Sequence, residues 1–486
     1  MSLEIAVIAL GLLVLLADLW LPVERKRMLG YAAALALGLL FLNTFTSHCS
    51  CNLALAGDST AGGMFVQDAL AVFFKRLFLL AGVFVLVMAV EFSDRIAAGV
   101  SEYYSLIIFA LAGMLFAASS NDFAMLFVSI ELITVTFYVL TSFQRNKVAS
   151  LEAGVKYLIL GALSSAFMVF GIALVWGISG KFNFGELSDV AWKYTSNKVF
   201  LIGVLMILAG LGFKIAAFPF QIWAPDVYQG APTPTTSFLA IGSKAAGFVL
   251  LLRFLFTAIP DVTAQWKNVL IILSAVTILY GNLCALPQRN LKRLLGYSSI
   301  SHAGYLLLGV AAMSGDVHNS TNGGSALLYY LGGYLFTTVA AFAVIALAMR
   351  HLDGEDVSGL AGLSQRSPLL AATMTLAMTS LAGIPPLAGF FGKFLLLKSV
   401  IEQAAHDTGF YCLAFTALVG VVISLYYYFG VVRVIYWGQG APSREPIVFS
   451  TPMRLALAGC IVGMFWLGLA PDGVLKLAET AAAVLK

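Results

Sequence analysis

The sequence predicts an all-α polytopic membrane protein of about 14 transmembrane helices, arranged as two inverted five-helix repeats in which helices 7 and 12 are broken. Three observations carry that expectation. Sixty per cent of the 486 residues are hydrophobic and 11% are charged, where an ordinary soluble chain carries about 25% charged residues. The mean hydropathy is +0.93. Apolar runs of roughly 20 residues recur from one end of the chain to the other, the length that crosses a hydrocarbon core at about 1.5 Å per residue. At about 35 residues for a span with its loop, these runs use the whole chain and leave no room for a soluble domain.

The first run, Leu3 to Leu21, has no basic residue ahead of it and no small-residue cleavage site behind it; Glu24-Arg25-Lys26-Arg27 follows directly. A signal peptide has the opposite polarity. This run reads as a retained first helix, with its N-terminus outside and the basic cluster in the cytoplasm. Further spans fall near 29–46, 70–91, 103–119, 121–143, 155–178, 199–224, 234–258, 267–287, 293–313, 326–349, 369–398, 409–437 and 452–470. The stretch from Asp472 to Lys486 reads as a short amphipathic helix or a frayed tail. In this topology the larger share of Lys and Arg falls on the cytoplasmic side, and the outside loops at 47–68 and 314–325 carry none. That asymmetry fits a multi-pass protein of a bacterial inner (plasma) membrane.

Two spans are interrupted. The seventh contains GFKIAAFPFQIWAP, with Pro219 and Pro225, and the twelfth contains AGIPPLAGFFGKF, with Pro385 and Pro386. Proline removes a helix donor and clashes with the preceding turn. In lipid, the freed carbonyls must be satisfied by neighbouring helices, water or side chains. The interruptions are five spans apart, and an odd offset reverses topology. Helices 4–8 and 9–13 therefore read as inverted repeats, an arrangement that places a transport site at mid-depth; the alternative is two unrelated kinks. The organisation that follows is helices 1–3 over residues 1–100, a first repeat over 101–260, a second over 261–440, and helix 14 with a short tail over 441–486.

Four ionisable residues lie near the middle of their spans: Glu131 in FVSIELITVTFYVL, Lys214 in GLGFKIAAFPF, Lys244 in AIGSKAAGFVLL and Lys393 in GFFGKFLLL. Each costs about 2.5–3.5 kcal/mol at mid-depth. The four together reach about 10–14 kcal/mol, comparable to the stability of a whole domain. Such groups mark ion pathways, and snorkelling or static ion pairing are the alternatives. The residue types suit protons: burial disfavours an ammonium and a nearby carboxylate restores it. A change in the Glu131–Lys214 distance would then load or unload the lysine. His302, in YSSISHAGYLLLG, is a weaker candidate, a relay or a packed histidine; Tyr305 and the nearby serines are suited to holding water. Asp18, Glu91 and Asp94, near span ends, read as interfacial or subunit-contact residues.

Other chemistries find no support. Cys49, Cys51, Cys284, Cys412 and Cys460 form no C-x2-C pair and have no His cluster beside them, which argues against a zinc or iron–sulfur site. The net charge of +4 is small and no basic tail or face suggests nucleic acid. The chain contains no nucleotide loop and no dinucleotide turn, so a partner must supply the energy for transport.

The segments FPFQIWAPDVYQGAPTPTTSFLAIGSKAAGF (218–248), NLKRLLGYSSISHAGYLLLG (290–309) and LAGIPPLAGFFGKFLLLKSVI (381–401) resemble helices 7–8, 10 and 12 of the N-subunit family of proton-translocating NADH–quinone oxidoreductase. These are antiporter-like subunits of the respiratory complex I membrane arm. The resemblance runs over most of the chain and is densest from about 120 to 430, and the P-D-V-Y-x-G-A-P run is the N-type feature. It implies a fourteen-helix antiporter-like fold and other membrane-arm subunits as partners. It also implies no cofactor in this chain, with flavin and Fe–S clusters in partner subunits. By the same resemblance Glu131 and Lys214 form the pair coupled to neighbouring subunits, Lys244 is the central relay and Lys393 the terminal exchange site. Gln221 departs from the pattern, standing where many relatives carry His. The competing expectations are a subunit of a multi-subunit cation/proton antiporter or membrane-bound hydrogenase, and a structural spacer that does not pump.

Overall fold

A backbone in hydrocarbon finds no water, so its N–H and C=O groups must pair within their own segment. The computed structural model is accordingly built almost wholly of helices. It describes residues 1–22, 25–46, 58–60, 62–314, 320–350, 352, 354–405, 407–438 and 445–485. Glu24, Cys49, Cys51, Arg444, Lys486 and most of the outside loop 47–68 lie outside the described residues.

The helices, in chain order, are α1 (Ser2–Asp18), α2 (Lys26–Thr46), α3 (Ala69–Phe92), α4 (Val100–Ala118), α5 (Phe123–Thr141), α6 (Val148–Ser179), the short α7 (Phe184–Ala191) and α8 (Lys198–Ile215). After a break come α9 (Trp223–Gly230) and then α10 (Thr233–Phe238) and α11 (Lys244–Leu252), which one π-helical turn joins and a second extends into one helical span, Thr233–Ala258. The rest are α12 (Pro260–Gln265), α13 (Lys267–Ala285), α14 (Leu291–Met313), α15 (Ser320–Ala348), the single turn α16 (Leu363–Arg366), α17 (Pro368–Ala382), α18 (Ala388–Ala404), α19 (Gly409–Trp437), α20 (Thr451–Leu469) and α21 (Asp472–Ala482). A two-stranded hairpin, β1 (Asp58–Thr60) with β2 (Phe65–Gln67), pairs Asp58 with Gln67. The hairpin, α7 and α12 are too short and too polar to stand out in an apolar sequence. The C-terminal stretch is a helix rather than a frayed tail, with Ala478, Ala481 and Ala482 turned inward.

Side-chain caps set several helix starts. Asp68, Asp122, Asn197, Asn290 and Ser450 each accept from a backbone N–H in the first turn of α3, α5, α8, α14 and α20. Among the described residues, twelve helical runs are long and apolar enough to cross a membrane. The shortfall from the expected fourteen has two sources. Helix α1 has 17 residues, and the expected twelfth span is divided into α17 and α18, of 15 and 17 residues.

Burial sorts the bundle into an inside and an outside. The span Thr233–Ala258 is wholly buried through its most apolar window and α14 is 94% buried, whereas α6 reaches 28%. The central spans therefore touch protein all round, and α6 turns exposed Leu158, Ile159 and Phe170 to the bundle's surface. Helices in lipid gain little from hiding apolar surface and associate by close packing of small residues. At the α14–α15 contact, a Cβ on Gly309 or on Gly323 would fall 2.7 or 2.6 Å from the other glycine's carbonyl oxygen. Gly171 of α6 and Gly203 of α8 repeat this reciprocal approach.

Polar ties join the bundle where packing alone does not fix register. Arg253, 2% exposed, forms a bidentate pair with Asp68: Nη1 to Oδ2 at 2.9 Å and Nη2 to Oδ1 at 2.8 Å. The same guanidinium donates to the Ala118 carbonyl at 3.1 and 2.8 Å, which ties the starts of α3 and the end of α4 to the central span. Lys75 of α3 is buried against Glu4 at 2.7 Å. Asp18 pairs with Lys26 at 2.7 Å, Asp94 with Arg27 and Arg350, and Glu91 accepts from Ser450 N at 3.0 Å. These three carboxylates find partners within the chain itself.

Removing one member of a buried pair strands the other charge, at about 3–5 kcal/mol. Asp68→Ala is therefore expected to lower the thermal midpoint of the detergent-solubilised protein by several degrees. Adding Arg253→Met should recover part of the loss, read by size-exclusion chromatography after heating. A double variant no more stable than the single one would mean that the pair is not the tie described here.

Candidate functional site

The break after α8 begins with a conformation that L-residues avoid. Ala216 has φ of 58°, in the left-handed region that costs a residue with a Cβ about 1–2 kcal/mol. The freed groups around it are met locally: Ala217 N donates to Gly212 O at 2.9 Å, Trp223 Nε1 to Phe213 O at 2.9 Å, and Phe218 N to Thr277 Oγ1 at 3.1 Å. Lys214 sits on the last turn before this break, 3% exposed. Its Nζ donates to Thr134 Oγ1 on α5 and lies 3.5 Å from Tyr157 OH on α6.

Glu131 stands one turn before Thr134 on α5. It is half-buried and accepts from Ser165 of α6. Glu131 and Lys214 thus share the α5–α6–α8 contact, but among the described residues they form no ion pair; the lysine is held by neutral oxygens. Tyr138 OH, beside Tyr157 with ring centroids 5.3 Å apart, is buried without a hydrogen-bond partner among the described residues.

Lys244 opens α11 directly after a π-helical turn and is 2% exposed. Gly247, one turn on, packs against Lys214: a Cβ there would lie 3.4 Å from that lysine's Cβ and Cγ. Ser243, adjacent to Lys244, has a buried hydroxyl with no protein partner among the described residues. Lys244 Nζ itself donates to both the carbonyl and the hydroxyl of Ser299 on α14. The Ser299 hydroxyl also meets Tyr228 OH at 3.1 Å and Tyr334 OH at 3.2 Å.

From Ser299 a stripe runs along α14 at intervals of three residues, the spacing that puts side chains on one face. His302 is next, 1% exposed, with Nδ1 bonded to Tyr330 OH and Nε2 to Tyr428 OH at 3.0 Å. Tyr428 in turn bonds Ser298. Tyr305 follows, and Lys393 Nζ stands 4.8 Å from the centre of its ring.

Lys393, 4% exposed, lies just beyond the second break. Gly383 has φ of 88° and ends α17 in the left-handed turn that favours glycine. The turn returns Gly383 N and Ile384 N to Thr379 and Ser380 carbonyls. The last two carbonyls of α17, Leu381 and Ala382, accept from Lys393 Nζ at 2.7 and 3.3 Å. A helix C-terminus carries partial negative charge and leaves carbonyls unpaired, so it suits a cation.

The structure therefore places Lys214, Lys244, His302 and Lys393 in succession along one buried polar line with Glu131 at one end, although among the described residues no hydrogen bond links Lys214 to Lys244, Ser299 to His302, or His302 to Lys393. The line's hydroxyls are mostly those of Tyr157, Tyr228, Tyr330, Tyr334 and Tyr428, which the sequence reading did not single out. The available signal was the presence of tyrosines inside apolar helices, since a buried phenol needs a partner. Gln221, in the first break, is 2% exposed and its Oε1 has no partner among the described residues. Among the described residues no group of three or more His, Cys, Asp or Glu is placed to hold a metal ion.

Residues 120–424 match the family described as NADH:quinone oxidoreductase/Mrp antiporter, TM. The chain is 38% identical to NADH-quinone oxidoreductase subunit N of Desulforamulus reducens, over 99% of this chain and 97% of that one. A chain in the structure of respiratory complex I from Thermus thermophilus with bound aureothin superposes with a TM-score of 0.79 at 32% identity, covering 99% of this chain and 100% of that one. A chain of the Mrp complex from Dietzia sp. has the same fold, with a TM-score of 0.84 at 20% identity over 100% and 98% of the two chains.

Ser299 and Ser243 provide an internal comparison. The first hydroxyl is shared by a lysine and two phenols, and the second has no protein partner. Leaving buried groups unpaired costs about 1–3 kcal/mol. Ser299→Ala is expected to lower the thermal midpoint in detergent clearly more than Ser243→Ala; the reverse order would show the hydroxyl network to be wrongly assigned.

Proposed function

The chain belongs to the NADH–quinone oxidoreductase subunit N family, and on that premise we propose that it moves protons through a mid-membrane relay of Glu131, Lys214, Lys244, His302 and Lys393. It is a non-redox membrane subunit of a larger redox-driven translocase, associated with other membrane-arm subunits. NADH oxidation and quinone reduction take place in partner subunits carrying the flavin and the Fe–S clusters. Each proton moved outward works against about 2.3 kcal/mol per 100 mV of membrane potential, so the energy reaches this chain from those partners.

The observation that carries the reading is the succession of buried polar groups from Lys214 to Lys393, hydrogen-bonded in separate clusters around each lysine and around His302. Hydroxyl and imidazole side chains act as donor and acceptor in turn. Each lysine rests on neutral oxygens rather than on a carboxylate. Its charged form is stabilised enough to exist and is not locked by a permanent ion pair, so a proton can leave it. At the outer end, a shift of Glu131 toward or away from Lys214 would change how strongly that lysine holds its proton. The buried hydroxyls of Ser243 and Tyr138 are suited to bonding the water that bridges the remaining gaps.

The wider architecture we propose is fourteen spans, with α1 and the α17–α18 pair completing the twelve longer ones. Residues 1–100 form an N-terminal unit, 101–260 and 261–440 two inverted repeats, and 441–486 the last span and tail. The breaks after α8 and α17 support this, since each ends a helix beside a buried lysine. The N-terminus then lies outside the bacterial inner membrane, with Arg289, Arg350 and Arg433 on the cytoplasmic side.

Lys214→Met in the assembled complex tests the relay. Proton pumping driven by NADH and quinone, read with a pH-sensitive dye in inverted vesicles, is expected to fall severalfold while the complex remains assembled. Pumping at the wild-type ratio of protons to electrons would leave the chain a spacer.

A further inference from the structure

A cavity of about 670 Å³ lies outside the polar line, where the α13–α14 loop and the turn Val357–Leu360 meet the far end of α19. Its lining is unlike the apolar interior. Arg289 and Arg433 both face it, and among the described residues neither guanidinium makes an ion pair or a hydrogen bond. Asp356 lines the same space, also without an ion pair among the described residues, so the three charged groups sum to a single positive charge. Gly430 opens onto the cavity too, and a Cβ built on it meets nothing within 4 Å.

Below the cavity, α19 presents an apolar stripe to the outside of the bundle: Phe415, Leu418, Val422, Tyr426 and Phe429, all exposed. The intervals of three and four residues put them on one face, and Arg433, four residues past Phe429, continues it. Leu418 to Phe429 spans about 16 Å at 1.5 Å per residue, the reach of a lipid tail. The face is apolar along its length and cationic at one end.

We propose that this is a binding site for one acidic phospholipid, with its phosphodiester between Arg289 and Arg433 and an acyl chain along the α19 stripe. The charges favour this occupant. A guanidinium is a planar donor that matches phosphate oxygens, and one phosphodiester neutralises the net positive charge. A basic recess at the membrane surface is the physical form of a headgroup site. A zwitterionic lipid would bring a third cation into a site that already has two. The site does not depend on the relay, and neither reading falls with the other.

The test uses the assembled complex, purified in detergent from phosphatidylglycerol-containing membranes, with bound lipid counted by mass spectrometry. The double variant Arg289→Gln/Arg433→Gln is expected to retain one phosphatidylglycerol fewer than wild type. Gly430→Trp, which fills the cavity with both charges kept, should lose the same lipid. Arg289→Lys/Arg433→Lys should keep it. Wild-type complex stripped of lipid should rebind phosphatidylglycerol at least tenfold more tightly than phosphatidylcholine. The proposal is overturned by unchanged lipid counts in the Gln and Trp variants, by equal uptake of phosphatidylcholine, or by displacement with inorganic phosphate, which would make the site one for free anions. It is overturned equally if those variants shed a neighbouring subunit rather than a lipid.

Discussion

A cationic nitrogen inside hydrocarbon must reach oxygen, and much of this molecule is arranged around that requirement. Lys214, Lys244 and Lys393 each sit where a helix is irregular: the end of α8, the π-helical turn before α11, and the approach to the end of α17. A regular helix uses up its own carbonyls. Irregular turns release them or bring a neighbouring hydroxyl into reach. The breaks and the buried lysines are thus two sides of one solution, in which disrupted backbone and buried charge satisfy each other.

Two kinds of buried charge coexist in the bundle, and their surroundings separate them. Arg253 with Asp68 and Lys75 with Glu4 are full ion pairs at 2.7–2.9 Å. A guanidinium stays protonated at any ordinary pH, and its carboxylate partner holds it in place. These are ties between helices. The three central lysines have no such partner and rest on hydroxyls and main-chain oxygens. In the relay we propose, ammonium groups held in that way keep the freedom to exchange a proton, which an ion pair would suppress. The distinction follows from what surrounds each cation and not from its depth, since all of them are buried.

Much of the fold was legible in the sequence because a membrane imposes one strong rule, and apolar run length reports it directly. The expected spans match the observed helices to within a few residues for most elements, α13 and α19 among them. The hairpin, α7 and α12 escaped notice because a few residues at a membrane surface leave no periodic trace. The four ionisable candidates stood out as charges in apolar runs. Their linking tyrosines did not, because a phenol is unremarkable in a chain with 18 of them. Only the fold shows that Tyr228, Tyr334 and Ser299 converge, from three separate helices. Arg253 was also passed over: it lies near the end of its span, and its partner Asp68 is 185 residues away.

The grip on Lys393 is made of peptide carbonyls at the end of α17, and every amino acid carries the same carbonyl. No exchange of the side chain at Leu381 or Ala382 deletes the atoms that hold the ammonium. Evolution can therefore adjust this end of the line only through whatever shapes the backbone: the glycine at 383, whose left-handed turn leaves those oxygens unclaimed, and the prolines that keep α17 from continuing. Drift at the neighbouring side chains would leave such an anchorage untouched, while one methyl group added at Gly383 would meet the lysine's own stem at 3.0 Å.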